Sequence, residues 1–189
     1  MYMEKIVIIH GTKGSPTDNW FPWLSAELTK CGAEVIIPRM PTPEGQSLDN
    51  WLVEFAEQVG AVDRSTTLIG HSVGAVFLLR LLERAIQPIG RSVFVAGFTK
   101  AIGIPEYDIL NATFINERYN WDAIRANAGD VLCFSGQDDP YVPMTQGLEI
   151  AKNLNIIPYI VPKGGHLNTA SGFTAFPLLL EKLYNFDKQ

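Results

Sequence analysis

Short runs of β-branched and aliphatic residues alternate along this chain with longer stretches of helical periodicity, and few folds accommodate that rhythm. Residues 6–9 (Ile-Val-Ile-Ile) are apolar at every position, so the strand they predict is covered on both faces. A helix is predicted over about 20–31, with Asp18 or Asn19 as its cap and Gly32 closing it. A second strand over 34–37 is stopped by Pro38. Ser47 caps a helix whose Trp51, Leu52, Phe55 and Val59 recur at helical spacing. Further strands are predicted over 66–69, 92–96, 131–134 and 157–161, and further helices over 76–82, 147–154 and 173–186. Strand-helix alternation of this kind implies an α/β fold with a mostly parallel sheet of about six strands, clad on both faces by right-handed crossovers.

One domain spanning 1–189 suits this length, and a hydrophobic content of 47% allows a sizeable core. The rhythm breaks once, over 99–129, where Tyr107, Leu110, Phe114, Tyr119 and Trp121 occur with little strand signal. This segment reads as a short excursion of helical turns over one edge of a site. The net charge of −5, without a basic cluster, argues against nucleic acid as a partner. No apolar run reaches membrane-spanning length, and the run at 6–9 is too short for a signal-peptide core. Cys31 and Cys133 read as packed, unpaired thiols, which suits a reducing, cytoplasmic setting. No metal-ligand spacing is present, and no cofactor is expected.

Gly70-His71-Ser72-Val73-Gly74 lies between the strand at 66–69 and the helix at 76–82. Gly-x-Ser-x-Gly in a strand-turn-helix context is the pattern of a nucleophile elbow, a sharp turn that lifts a serine hydroxyl above the sheet. A Cβ at position 70 or 74 would crowd the strand against the helix. The turn leaves the Val73 N–H at a helix N-terminus, where negative charge is favoured. That helix is apolar almost all round and belongs near the molecular centre.

In a parallel sheet, ligands bind outside the carboxyl ends of the strands. His10-Gly11 follows the first strand, Ser72 the third, Gly136-Gln137-Asp138-Asp139-Pro140 the fifth and Gly164-Gly165-His166 the sixth. Four distant segments are thus expected on one rim. A serine needs a base to take its proton. Of the three histidines, His71 adjoins the serine on a sharp turn and points elsewhere, and His10 lies where an oxyanion donor is expected. His166, on a loop loosened by two glycines, is the expected base. Asp138 or Asp139 is expected to hold its imidazole, with the other capping the helix after Pro143; the residues themselves do not choose between them. The Val73 N–H and the loop 10–14, through the Thr12 N–H, are the expected oxyanion donors. That loop lacks the spacing of a phosphate-binding motif. Trp20, Phe21, Trp23, Phe98 and Tyr141 are candidates to line the substrate pocket, with Trp20 and Phe98 foremost.

His10-Gly11, Trp20-Phe21-Pro22-Trp23-Leu24, Met40-Pro41-x-Pro43, Trp51, the elbow, Gly136-x-x-Asp139-Pro140-x-Val142-Pro143 and Gly165-His166 occur in order over nearly the whole chain. In these pieces the chain resembles the compact α/β-hydrolase family of the retinoblastoma-binding serine hydrolase and its small bacterial relatives. The resemblance implies a triad of Ser72, Asp139 and His166, choosing Asp139 over Asp138, because the family's acid precedes the Pro-x-Val-Pro run. It also implies a minimal hydrolase sheet without a leading hairpin or a large cap domain. The triad positions show no departure from the family pattern. The Leu-x-Cys-x-Glu motif that would carry retinoblastoma-protein binding is absent, so that partner is not carried over.

The expected activity is therefore that of a serine hydrolase, a carboxylesterase acting on small acyl esters through an acyl-enzyme on Ser72. An amidase or peptidase using the same triad is the alternative within enzymes. A non-catalytic hydrolase scaffold kept for protein binding is the alternative outside them.

Overall fold

A computed structural model describes residues 4–185. Six strands form one sheet in the order β2-β1-β3-β4-β5-β6: β1 Lys5–Ile9, β2 Glu34–Ile36, β3 Thr66–His71, β4 Arg91–Val95, β5 Asp130–Gly136 and β6 Tyr159–Val161. Every neighbouring pair is parallel. The helices are α1 Phe21–Lys30, α2 Leu48–Val59, α3 Val73–Arg84, α4 Pro105–Ile115, α5 Trp121–Asn127, α6 Met144–Asn153 and α7 Pro177–Asn185. The sheet is the middle of three layers. Ile6 and Ile8 face α1 and α7, packing with Phe21, Leu24, Phe176 and Leu179. Val7 and Ile9 face the opposite way, into a core with Trp51 and Phe55 of α2 and the apolar side chains of α3. This two-residue alternation is why strand 6–9 has no polar position.

The chain runs from β1 outward to β2, then returns to place β3 on the other side of β1. The order therefore reverses beside β1, and a crevice opens where the connections leaving β1 and β3 diverge. Both expected reactive segments, His10-Gly11 and Ser72, leave the sheet there.

Several boundaries differ from the sequence expectation, for identifiable reasons. Strand β5 runs on to Ser135 and Gly136 because main-chain pairing with β6 does not require apolar side chains. Helix α6 starts at Met144 instead of 147; its first turn is polar, so apolar periodicity misses it. Helix α7 starts at Pro177, which suits a first helical position, and residues 169–171 form a separate 3-10 turn. The last residue of the predicted 173–186 helix lies outside the described residues. Ser47 caps α2 as expected, accepting the Asn50 N–H at 3.2 Å. Neither Asp18 nor Asn19 caps α1; the cap position is Trp20, without a side-chain bond. Cys133 is buried as expected, but Cys31 is exposed. Among the described residues, no helix is long and apolar enough to cross a membrane.

The 99–129 excursion consists of α4, α5 and their connections. It is fastened by Arg80, a charged residue at the centre of the apolar α3. The Arg80 side chain is 1% exposed. Its Nε donates to Phe114 O at 2.8 Å and its Nη2 to Glu117 O at 2.6 Å, while Nη1 donates to Glu83 Oε2 at 2.9 Å. The Tyr119 ring lies 3.9 Å from the guanidinium carbon. The last carbonyls of a helix lack intrahelical partners, and Arg80 supplies donors where α4 ends.

The elbow glycines mark a tight contact between α3 and the end of β1. A Cβ on Gly74 would lie 2.3 Å from Ile9 O and 2.6 Å from His10 O, and one on Gly70 would lie 2.4 Å from Gly74 O. Gly74→Ala must separate α3 from the end of β1. We expect it to cost at least about 2 kcal/mol of stability, read from the chemical-denaturation midpoint. A midpoint within error of wild type would show that the contact is loose.

Candidate active site

Ser72 joins β3 to α3 with φ 58° and ψ −124°. A non-glycine residue in this region carries strain of about 1–3 kcal/mol and persists only where its surroundings hold it. Here the Ser72 N–H donates to Val95 O at 2.9 Å and its carbonyl accepts from Ala75 N–H at 3.0 Å. The loop after β1 passes directly over the serine, since a Cβ on Gly11 would lie 2.9 Å from Ser72 Cβ and 3.4 Å from Ser72 Oγ. Val73, the first residue of α3, has an amide with no intrahelical acceptor.

The loops after β5 and β6 bring a carboxylate to an imidazole. His166 Nδ1–H donates to Asp139 Oδ2 at 2.7 Å. The other oxygen, Asp139 Oδ1, accepts the amides of Tyr141 at 2.9 Å and Val142 at 3.0 Å. Both partners are buried, with the Asp139 side chain 2% exposed and that of His166 9%. With Nδ1 committed, His166 Nε2 carries the lone pair. Asp138 does not cap α6; its Oδ1 accepts the Gly165 N–H at 2.9 Å. The expectation of a loosened His166 loop is also corrected. His166 N–H donates to Ser171 Oγ at 3.1 Å, and the neighbouring carbonyls accept from His71 Nε2 and Trp20 Nε1, each at 2.9 Å. The two loops meet so closely that a Cβ on Gly136 would lie 1.9 Å from Gly165 O.

The remaining histidines are held neutral. His10 is fully buried; its Nδ1–H donates to Gly11 O at 2.9 Å and its Nε2 accepts the Met40 N–H at 3.0 Å. Burial holds its pKa below the usual histidine value. His71 donates from Nε2 to His166 O, and its Nδ1 has no hydrogen-bond partner among the described residues. Burial, reinforced by the nearby His166 ring, pushes the His71 pKa down to about 3.

Ser72, His166, Thr12 and Phe98 line one cleft of about 190 Å³, with Tyr107 and Asn111 of α4 forming its wall. Tyr107 and Asn111 of the 99–129 segment thus lie along one edge of this cleft. Asp139 stands behind His166, and Val73 is fully buried beneath Ser72. Trp20 is misplaced by the sequence reading. It is fully buried and does not line the cleft, with its ring edge-on to those of Phe21 and of the cleft-lining His71. Its contribution is the bond to Leu167 O, which steadies the His166 loop.

Sequence reasoning missed a polar cluster behind Thr12. Thr12 Oγ1 donates to Asn111 Oδ1 at 2.7 Å, and Gln46 Nε2 donates to Asn111 Oδ1 at 2.8 Å and to Thr12 Oγ1 at 3.0 Å. The one signal available was an asparagine in mid-helix, where that residue is unfavourable. Among the described residues, no group of three or more His, Cys, Asp or Glu is placed to hold a metal ion.

A serine in strained elbow geometry, a carboxylate-bound imidazole on the same cleft and a helix N-terminus whose Val73 amide has no intrahelical acceptor match the needs of nucleophilic acyl transfer. The serine hydrolase family model matches residues 6–185. The chain belongs to the serine hydrolase family. This serine hydrolase is 29% identical to YdeN of Bacillus subtilis (strain 168) over 185 residues, covering 97% of this chain and 96% of YdeN. It is 27% identical to the serine hydrolase RBBP9 of Rattus norvegicus over 165 residues, 86% of each chain. The crystal structure of the B. subtilis ydeN product superposes with a TM-score of 0.91, covering 99% of this chain and 100% of that one. An alpha/beta hydrolase from a lagoon-sediment metagenome of Mar Chica, Morocco, superposes at 0.72 with 17% identity, covering 100% of this chain and 93% of that one. The fold is that of a minimal α/β-hydrolase.

Neutral burial of His71 makes this serine hydrolase acid-sensitive. An unfolded histidine gains its proton near pH 6.5, whereas folded His71 resists it until about pH 3. The unfolded chain therefore binds more protons between those values, and stability falls as pH drops through that window. The slope is about 1.4 kcal/mol per pH unit for this one group. His10 acts in the same direction. Chemical denaturation at pH 7.5 and pH 5.0 should show a loss of about 2 kcal/mol from His71, with a shallower loss in His71→Gln. Equal pH slopes in the two proteins would refute this.

Proposed function

We propose that this serine hydrolase is a carboxylesterase that cleaves small acyl esters through an acyl-enzyme on Ser72. The observation carrying the proposal is the Asp139-bound His166 ring on the same cleft as the elbow serine. Ser72 Oγ attacks the ester carbonyl as His166 Nε2 takes its proton. The tetrahedral oxyanion is received by the Val73 and Thr12 N–H groups, each worth about 2.7–4 kcal/mol in such sites. The α3 N-terminus adds to that field. His166 returns the proton to the alkoxide as the C–O bond breaks and the alcohol leaves. Water then repeats the sequence on the acyl-enzyme and restores Ser72. Asp139 keeps the Nδ1–H tautomer and stabilises the imidazolium without taking its proton. Phe98 supplies an apolar wall for the acyl group. A cleft of about 190 Å³ favours short acyl chains over long lipids.

A fluorophosphonate probe should label the wild-type protein and fail to label Ser72→Ala. Ser72→Ala should lower kcat on a short-chain ester by roughly 10⁴–10⁶, and Asp139→Asn by about 10⁴, with folding intact by circular dichroism. Matched ester and amide substrates separate an esterase from an amidase. Absence of labelling in a well-folded protein would leave the binding-scaffold reading in its place.

A further inference from the structure

Asn111 is 2% exposed yet forms part of the cleft wall. The orientation of its carboxamide is fixed by a chain of bonds that starts from a main-chain carbonyl. Leu110 O accepts only, so the Gln46 atom 3.1 Å from it is the nitrogen Nε2. The opposite atom, Gln46 Oε1, accepts from Thr42 Oγ1 at 2.5 Å, consistent with that assignment. Gln46 Nε2 in turn lies 2.8 Å from Asn111, and a donor there requires the Asn111 oxygen. Thr12 Oγ1 donates to the same oxygen at 2.7 Å. Both interactions use Asn111 Oδ1. Asn111 Nδ2 has no acceptor among the described residues and is not fully enclosed. Because Asn111 lines the cleft, an occupant of the cleft is the acceptor open to its two N–H groups.

The same framework holds the expected oxyanion loop. Thr42 Oγ1 accepts the Lys13 N–H at 2.7 Å, and Lys13 pairs through Nζ with Glu106 of α4. A donor built into this framework beside Thr12 has a fixed position, and an oriented buried donor discriminates more sharply than a mobile surface one.

Resting on the esterase reading above, we propose that Asn111 is a substrate-contacting, specificity-determining residue. Its Nδ2 donates to an acceptor oxygen borne by the substrate near the scissile carbonyl. The preferred substrates are then short esters carrying an ether, hydroxyl or carbonyl oxygen within a few bonds of the cleaved bond. Such an oxygen comes either from the acyl part or from the alcohol part.

Two isosteric ester pairs test the proposal and locate the oxygen. On the acyl side, p-nitrophenyl methoxyacetate is compared with p-nitrophenyl butyrate. On the alcohol side, 2-methoxyethyl butyrate is compared with butyl butyrate. For each pair, the ratio of kcat/KM is measured in wild type, Asn111→Asp and Asn111→Leu, so that intrinsic reactivity cancels between proteins. Asn111→Asp keeps the acceptor for Thr12 and Gln46 and removes the donor. In one of the two pairs, the wild-type preference for the oxygenated ester should fall about fivefold to tenfold in both variants. Thermal melting of each variant accompanies the kinetics. A merely structural Asn111 would lower both members of a pair alike and leave both ratios unchanged, which overturns the proposal. Failure of wild type to turn over any of the four esters, despite fluorophosphonate labelling of Ser72, overturns it too while leaving the hydrolase reading intact. Absence of labelling removes both readings together.

Discussion

The carbonyl oxygens of Ile9 and His10 occupy the space that a side chain on residue 74 would need, and the site depends on that main-chain contact. It seats the first turn of α3 against the end of β1. The Val73 amide and the loop carrying Thr12 are thereby brought to the same crevice, where side chains from Thr42, Gln46 and Asn111 hold the loop. It also explains how Ser72 keeps a backbone conformation that an isolated peptide would abandon. Strand, helix and neighbouring loop each fix one side of the turn, so its relaxation would require the central sheet to part.

Chemical character in this site follows from partners more than from residue type. Three histidines lie near one another, yet their rings are committed in three ways. His10 donates and accepts within the main chain. His71 gives its one proton to the carbonyl of His166. His166 alone faces a carboxylate through one nitrogen and the cleft with its ring. A ring whose two nitrogens are both satisfied by main-chain groups has no remaining capacity for proton transfer. His71 instead serves as a strut: its bond holds the His166 backbone, and the Trp20 indole holds the next residue.

The sheet was legible because its evidence is local: apolar runs, turn residues and a glycine-framed serine. The convergence of four loops was legible because parallel strands place like ends together. What escaped was set by partners distant in sequence. Trp20 looked like pocket lining because it flanks the loop after β1, but its indole reaches Leu167, 147 positions away. Asp138 and Asp139 are neighbours with different tasks, and only the folded positions of Gly165 and His166 separate them. The Asn111, Gln46 and Thr12 cluster joins three segments with no shared pattern, so no periodicity announces it. Arg80 was hidden in an apolar helix because, Glu83 apart, the groups it bonds are main-chain carbonyls, which leave no mark in a sequence.

The clasp formed by Arg80 divides the molecule into parts with different freedom to vary. The groups proposed to act on the substrate stand on strand ends and tight loops, where an added Cβ on Gly11, Gly74 or Gly136 collides. The segment 99–129 meets them from outside and is gripped near its middle through backbone oxygens of Phe114, Glu117 and Arg118. Backbone oxygens are offered by every amino acid. In evolution, descendants of such a chain can exchange many side chains along that segment, and so alter which molecules are admitted, while the main-chain part of the clasp stays in place.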